Sequence, residues 1–135
     1  MTRNELEPRT QGLSMKIVRS FYFAFAGVWF LLRTQRNARI ELAIGLAACV
    51  AGGWLGITRV EWAVVVFTIA LVLILEGLNT AVECAIDLAS PEIHPLAKAA
   101  KDLAAGMVLI ASIASVAVGL LILGPPLWHK LMHLR

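Results

Sequence analysis

The run Glu76-Gly77-Leu78-Asn79-Thr80-Ala81-Val82-Glu83-Cys84-Ala85-Ile86-Asp87 decides the reading of this chain. It closes an apolar segment of membrane-spanning length that begins at Trp62, of which only residues 62–75 are free of ionisable side chains. Glu76, Asn79, Glu83 and Asp87 recur at spacings of 3, 4 and 4 residues. At about 100° per residue, that spacing holds all four within roughly 80° on one face of an α-helix. Carboxylates in or beside a bilayer are costly and mark functional sites by default. The stripe of three acids and one amide is therefore read as a site.

The composition around it is that of a membrane protein. Of 135 residues, 59% are hydrophobic and 16% charged, with a mean hydropathy of +0.79. Soluble domains lie nearer about 45–50% apolar and about 25% charged. The length predicts a single compact unit. The net charge of +3 is modest, and Arg3, Arg9, Lys16, Arg19, Arg33, Arg36 and Arg39 all precede the first long apolar block. No compact basic surface accompanies them, which disfavours nucleic-acid binding. Cys49 and Cys84 fall inside apolar segments and are read as small buried hydrophobes, not as a disulfide or metal pair.

Outward from the stripe, the chain divides into a flexible polar tail (1–13), an integral membrane domain (14–124) and a C-terminal tail (125–135). Phe21, Tyr22, Phe23, Phe25, Trp29 and Phe30 lie close behind Lys16 and Arg19. The wholly apolar run 21–32 is short of the roughly 20 residues a span needs, so an amphipathic helix at the interface is expected there. The bulky FLLRTQRN after it argues against signal-peptide cleavage. Transmembrane helices are expected at about 40–57, 62–87 and 101–123. Gly45, Gly52, Gly53 and Gly56 in or beside the first permit close helix contact. Gly56 to Glu61 forms a tight turn. Ser90-Pro91 resembles an N-cap and first-turn pair that restarts a helix, and Gly124-Pro125-Pro126 is expected to end the last span. The fold expected is an all-α membrane protein, one interfacial helix plus three spans. Nine Lys or Arg residues then fall on the side of the N-terminus and the Pro91–Pro95 loop, and three on the other. By the positive-inside rule the first side is cytoplasmic.

Acids alone suit ion transport, proton relay or metal-assisted catalysis. His94, Lys98, Lys101 and Asp102 add a mixed cationic and acidic cluster beyond Asp87. A magnesium–polyphosphate ligand needs hard carboxylate oxygens for the metal and cations or amides for the phosphates. A deeper carboxylate then takes a proton from an alcohol presented from the bilayer, a layout suited to phosphoryl transfer. Lys98 is read as a phospholipid-facing charge, whereas Lys101, beside Asp102, is better placed for phosphate.

The segment Glu76 to Glu83, with Asp87, His94-Pro95-Leu96-Ala97-Lys98 and Lys101-Asp102, resembles the signature of the prokaryotic diacylglycerol kinase family, which includes undecaprenol kinases. The resemblance extends over roughly Lys16 to Leu123, including Arg36-Asn37-Ala38-Arg39-Ile40-Glu41. It implies an ATP- and Mg²⁺-dependent lipid kinase of the bacterial inner membrane, a homotrimer with its N-terminus cytoplasmic and active sites between protomers. It places Glu76 as catalytic base, Glu83 as metal ligand, and Asn79 and Asp87 as site-lining residues. Glu83, Glu92, Ile93, His94, Lys101 and Asp102 fall on nucleotide-contacting positions, as do Lys16, Phe23 and Gln35 from the N-terminal part. The second metal carboxylate of the family aligns with Gln35, whose amide oxygen brings no charge. Glu41 lies six residues further on, roughly 240° around the helix from Gln35. The acceptor expected is undecaprenol or diacylglycerol, and the His-Pro-Leu-Ala-Lys run favours undecaprenol. The alternative is a small proton- or cation-coupled transporter using Glu76.

Overall fold

A computed structural model describes residues 7–90 and 94–133, with side chains from Met15 onward. Four helices follow in order: α1 (Glu7–Thr34), α2 (Arg36–Leu55), α3 (Arg59–Ala89) and α4 (Pro95–Met132). The chain forms two compact units, one up to Thr34 and one from Gln35, where the length predicted one. The division falls where Gln35 takes extended backbone (φ −97°, ψ 118°) as the N-cap of α2.

α1 starts at Glu7, ahead of the expected Ser14, because Pro8 in a first turn costs no helical hydrogen bond. Arg19 lies 5.5 Å from the Phe23 ring centroid, and Tyr22 meets Phe23 edge-on at 5.7 Å. Residues Met15–Thr34 are long and apolar enough to cross a membrane, as are α2, α3 and α4. The basic residues Lys16 and Arg19 lowered that expectation for α1, but the intervening aliphatic and aromatic side chains keep its overall hydropathy high.

In the second unit, α3 packs on both α4 and α2, and α2 also meets α4. The buried face of α2 carries Ala38, Gly45 and Gly52, spaced by seven residues. At Gly45 an added Cβ would stand 2.9 Å from Ile69 Cγ2, so the glycine sets the approach of α2 to α3. Gly53 has nothing within 4 Å, and Gly56 serves the turn: its φ of 72° ends α2 in the left-handed region. α3 then opens with a capping box. Thr58 N and Oγ1 each donate to Glu61 Oε2 at 2.7 Å, and Glu61 N donates to Thr58 Oγ1 at 3.3 Å.

The helix restart expected at Ser90-Pro91 falls on residues 91–93, outside the described ones, and one further expectation is corrected here. α4 is described from Pro95: His94 Nδ1 accepts from Leu96 N at 3.2 Å, and Pro95 takes the first helical position. α4 also continues through Gly124-Pro125-Pro126 to Met132, and the tail expected over 125–135 is largely helical. Gly124 has no Cβ for the Pro125 ring to strike, and proline's fixed φ is itself helical. The extension is fastened by Lys130, whose Nζ donates to Trp54 O at 2.7 Å and lies 4.4 Å from that indole's centroid. Both cysteines are free, but Cys84 is exposed, against the burial expected.

Candidate active site

The stripe faces inward at Glu76. Val65, Val72, Glu76 and Thr80 form the buried line of α3, and Glu76 is only 2% exposed. Thr80 Oγ1 donates to the Glu76 carbonyl oxygen at 3.0 Å, so that hydroxyl serves the helix and not the Glu76 carboxylate. The carboxylate lies within electrostatic reach of Glu41 on α2 and Glu83 on α3. A buried acid beside two others is placed to accept a hydrogen bond or to bind a cation.

One turn further along, Asn79 Nδ2 donates to Glu83 Oε1 at 3.4 Å. Asn79 Oδ1 is buried and makes no hydrogen bond. The half-buried Glu83 and this orphaned carbonyl oxygen together offer hard donors on neighbouring turns. Among the described residues, no group of three or more His, Cys, Asp or Glu side chains converges as a ready-made metal cage.

Lys101 of α4 donates to Asp87 Oδ1 of α3, tying the polar ends of the two helices. Asp102 pairs instead with Lys98 at 2.6 Å on the exposed face of α4. The adjacent Lys101 and Asp102 thus belong to two separate ion pairs. His94 spends Nδ1 on its cap, so only Nε2 is left for any other partner. Glu92 and Ile93 lie outside the described residues. Lys16 and Phe23 lie on α1, and Gln35 caps α2 without a side-chain cap hydrogen bond.

Glu41, which the sequence places about 240° around α2 from Gln35, is drawn into the core. Ser112 Oγ of α4 donates to Glu41 Oε1 at 3.3 Å, and Glu41 Oε2 is buried without a partner. Its signal was already present as an acid near the start of an apolar span. Ser112, in contrast, had no such signal. Glu41 stands at one end of an apolar groove of about 140 Å³ between α2, α3 and α4, lined further along by Gly45, Ile69, Val72, Gly119 and Leu123. Val72 precedes Glu76 by one turn, so the groove's lining reaches to within a turn of the buried acid.

Residues 22–123 match the family model described as prokaryotic diacylglycerol kinase. The chain is 49% identical over 109 residues to a diacylglycerol kinase of Synechocystis, covering 80% of this chain and 62% of that relative. It is thus shorter than that relative, spanning less than two thirds of its length. It is 38% identical over 125 residues to an undecaprenol kinase of Bacillus subtilis, covering 93% of this chain and 95% of the relative. With a diacylglycerol kinase of Escherichia coli strain K12 the identity is 30% over 101 residues, covering 75% and 83%.

Proposed function

The chain belongs to the prokaryotic diacylglycerol kinase family, and from that membership we propose that it is a lipid kinase transferring the γ-phosphoryl group of ATP to a membrane-dissolved alcohol. The observation that carries the reading is the position of Glu76: 2% exposed, one turn beyond Val72 of an apolar groove, and two turns before Glu83 on the way to the polar helix end. A transporter using the same acid gains no support from the family and gives no role to Lys101.

In this mechanism the alcohol's hydrocarbon lies along the groove and its hydroxyl reaches Glu76. Glu76 accepts the hydroxyl proton as the oxygen attacks the γ-phosphorus. The bond from that phosphorus to the β–γ bridging oxygen breaks, and ADP leaves. Such transfers are governed mainly by positioning and charge neutralisation, since the phosphoryl group passes through a loose transition state. Lys101 supplies a positive point charge to the phosphates, and Asp102, Glu92, Ile93 and His94 are assigned the remaining nucleotide contacts. We place α1, which carries Lys16 and Phe23, at the membrane interface.

The donor set fits a small hard cation. Glu83 and the unpartnered Asn79 Oδ1 would hold Mg²⁺, with the Gln35 amide as a third oxygen, and phosphate and water completing the shell. When bound, the ion neutralises charge on the phosphate oxygens. We assign the polar helix ends to the cytoplasmic side of the inner membrane, from the basic-residue bias, and the working state to a homotrimer. The many exposed large apolar side chains of α2–α4 suit contact with lipid and neighbouring protomers alike.

The test uses purified protein, ATP, Mg²⁺ and detergent-dispersed lipid alcohols, with diacylglycerol and undecaprenol in competition. Glu76→Gln should abolish product while leaving ATP binding and the folded state intact. Product formation by that variant at more than about a hundredth of the normal rate would remove Glu76 as base, since general-base contributions run about 10²–10⁴-fold.

A further inference from the structure

The cation assigned to the nucleotide is already bound. Lys101 donates to Asp87 across the α3–α4 junction. Asp102, its neighbour in sequence, is taken by Lys98 at 2.6 Å. Helical geometry explains the split. Residues 98 and 102 stand one turn apart on one face, whereas 101 is turned about 100° from 102, here toward α3. Exposure follows the same division: the Lys101 side chain is 36% accessible and that of Lys98 is 72%.

We propose that Asp87 sets the nucleotide affinity of this site, as the resting counter-ion of Lys101 that an incoming polyphosphate must displace. The proposal rests on the reading of Lys101 as a phosphate-binding residue. A lysine bridging two helices is held close to the stripe of Glu83 and Asn79, so part of its side-chain entropy is lost before the nucleotide arrives. The same contact neutralises its charge. A polyphosphate carries more charge and more acceptor oxygens than one carboxylate, and it therefore wins the exchange. Lysine suits the exchange because its ammonium is a point charge with three rotatable donors and needs no bidentate geometry. Asp87 is 66% exposed, so once released it is solvated by water and is not stranded in the protein. Asp87 is thus a positioning residue that also competes with the ligand, and its net effect is to weaken binding.

The full chain in detergent is titrated with ATP at fixed Mg²⁺ by equilibrium dialysis, without an acceptor alcohol. Asp87→Asn should bind ATP about 2-fold to 5-fold more tightly, the range of a partly exposed ion pair. Asp87→Ser, which keeps an acceptor but no charge, should shift the same way and serves if the first variant fails to fold. Asp87→Glu should stay within about twofold of the parent. Lys101→Gln should weaken binding, and adding Asp87→Asn to it should produce no tightening. Neutral Asp87 variants that bind equally or more weakly, while Lys101→Gln still weakens binding, overturn the proposal alone. A Lys101→Gln variant that binds as the parent removes Lys101 from the nucleotide site and the proposal with it.

Discussion

Asn79 is the residue whose surroundings constrain its role most tightly. A buried amide oxygen without a partner costs about 1–3 kcal/mol, and Asn79 Oδ1 is such an atom, on the turn before Glu83. Ligation of a cation shared with Glu83 removes that penalty. Replacing Asn79 with leucine, similar in size, removes the orphan and the ligand together. The expected outcome is a gain in thermal stability without nucleotide and roughly a tenfold rise in the Mg²⁺ concentration for half-maximal transfer, measured by melting and by Mg²⁺ titration. A loss of stability with an unchanged Mg²⁺ requirement would instead make Asn79 a helix-packing amide. At this scale the stripe was legible because Glu76, Asn79, Glu83 and Asp87 share one helix and follow its period. The contact of Ser112 with Glu41 was not legible, since 71 residues separate the two and serine in an apolar helix carries no mark of its partner. The Lys101–Asp87 pair was hidden for another reason. Adjacency in sequence suggested Lys101 with Asp102, but neighbours on a helix point in different directions.

Helix ends show how local chemistry outranks a simple breaker rule. At the start of α4, His94 caps the helix by accepting from Leu96 N, with Pro95 next to it, while Ser90 N closes α3 on Ile86 O at 2.8 Å. The double proline was read as a stop because each ring removes one donor, yet the helix runs on and Lys130 reaches back to Trp54. Buried small residues on α2 were legible only in part, because that helix is apolar on every side and its hydropathy cannot reveal which glycine meets a neighbour. Two outcomes follow at this scale. Thr58→Ala removes the capping box of α3 and should cost about 1 kcal/mol of unfolding free energy. Gly45→Val drives a side chain into Ile69 and should cost about 1–3 kcal/mol, with partial recovery on adding Ile69→Ala. Reversible unfolding in mixed micelles measures both, and a Gly45→Val protein as stable as its parent would show that α2 and α3 are not held at that distance.

The second unit as a whole is arranged along one axis, with charge at one end, the buried acid next and hydrocarbon space beyond. The groove follows α4 from Ser112 to Leu123, about 16 Å at 1.5 Å per residue. Its volume of about 140 Å³ resembles apolar cavities that admit a benzene-sized guest, so it holds part of a chain and the rest lies in the bilayer. In the proposed mechanism, a hydroxyl at the charged end of such a chain would meet Glu41 and Glu76. That mechanism makes the proposed acceptor and nucleotide sites separable by mutation. Gly119 lines the groove, and an added Cβ there meets nothing within 4 Å, so a side chain can begin there without a backbone clash. Gly119→Phe should therefore raise KM for the lipid alcohol by about 10-fold, the loss expected when a few methylene groups are displaced from an apolar slot. KM for ATP should remain within about twofold, because Glu83, Asp87 and Lys101 lie at the other end. Equal rises in both constants would mean that the groove is a packing defect of the helices and that the hydrocarbon binds elsewhere. A short-chain alcohol provides the internal control: if the groove holds the hydrocarbon beyond the hydroxyl, truncating that hydrocarbon must shrink the penalty of Gly119→Phe.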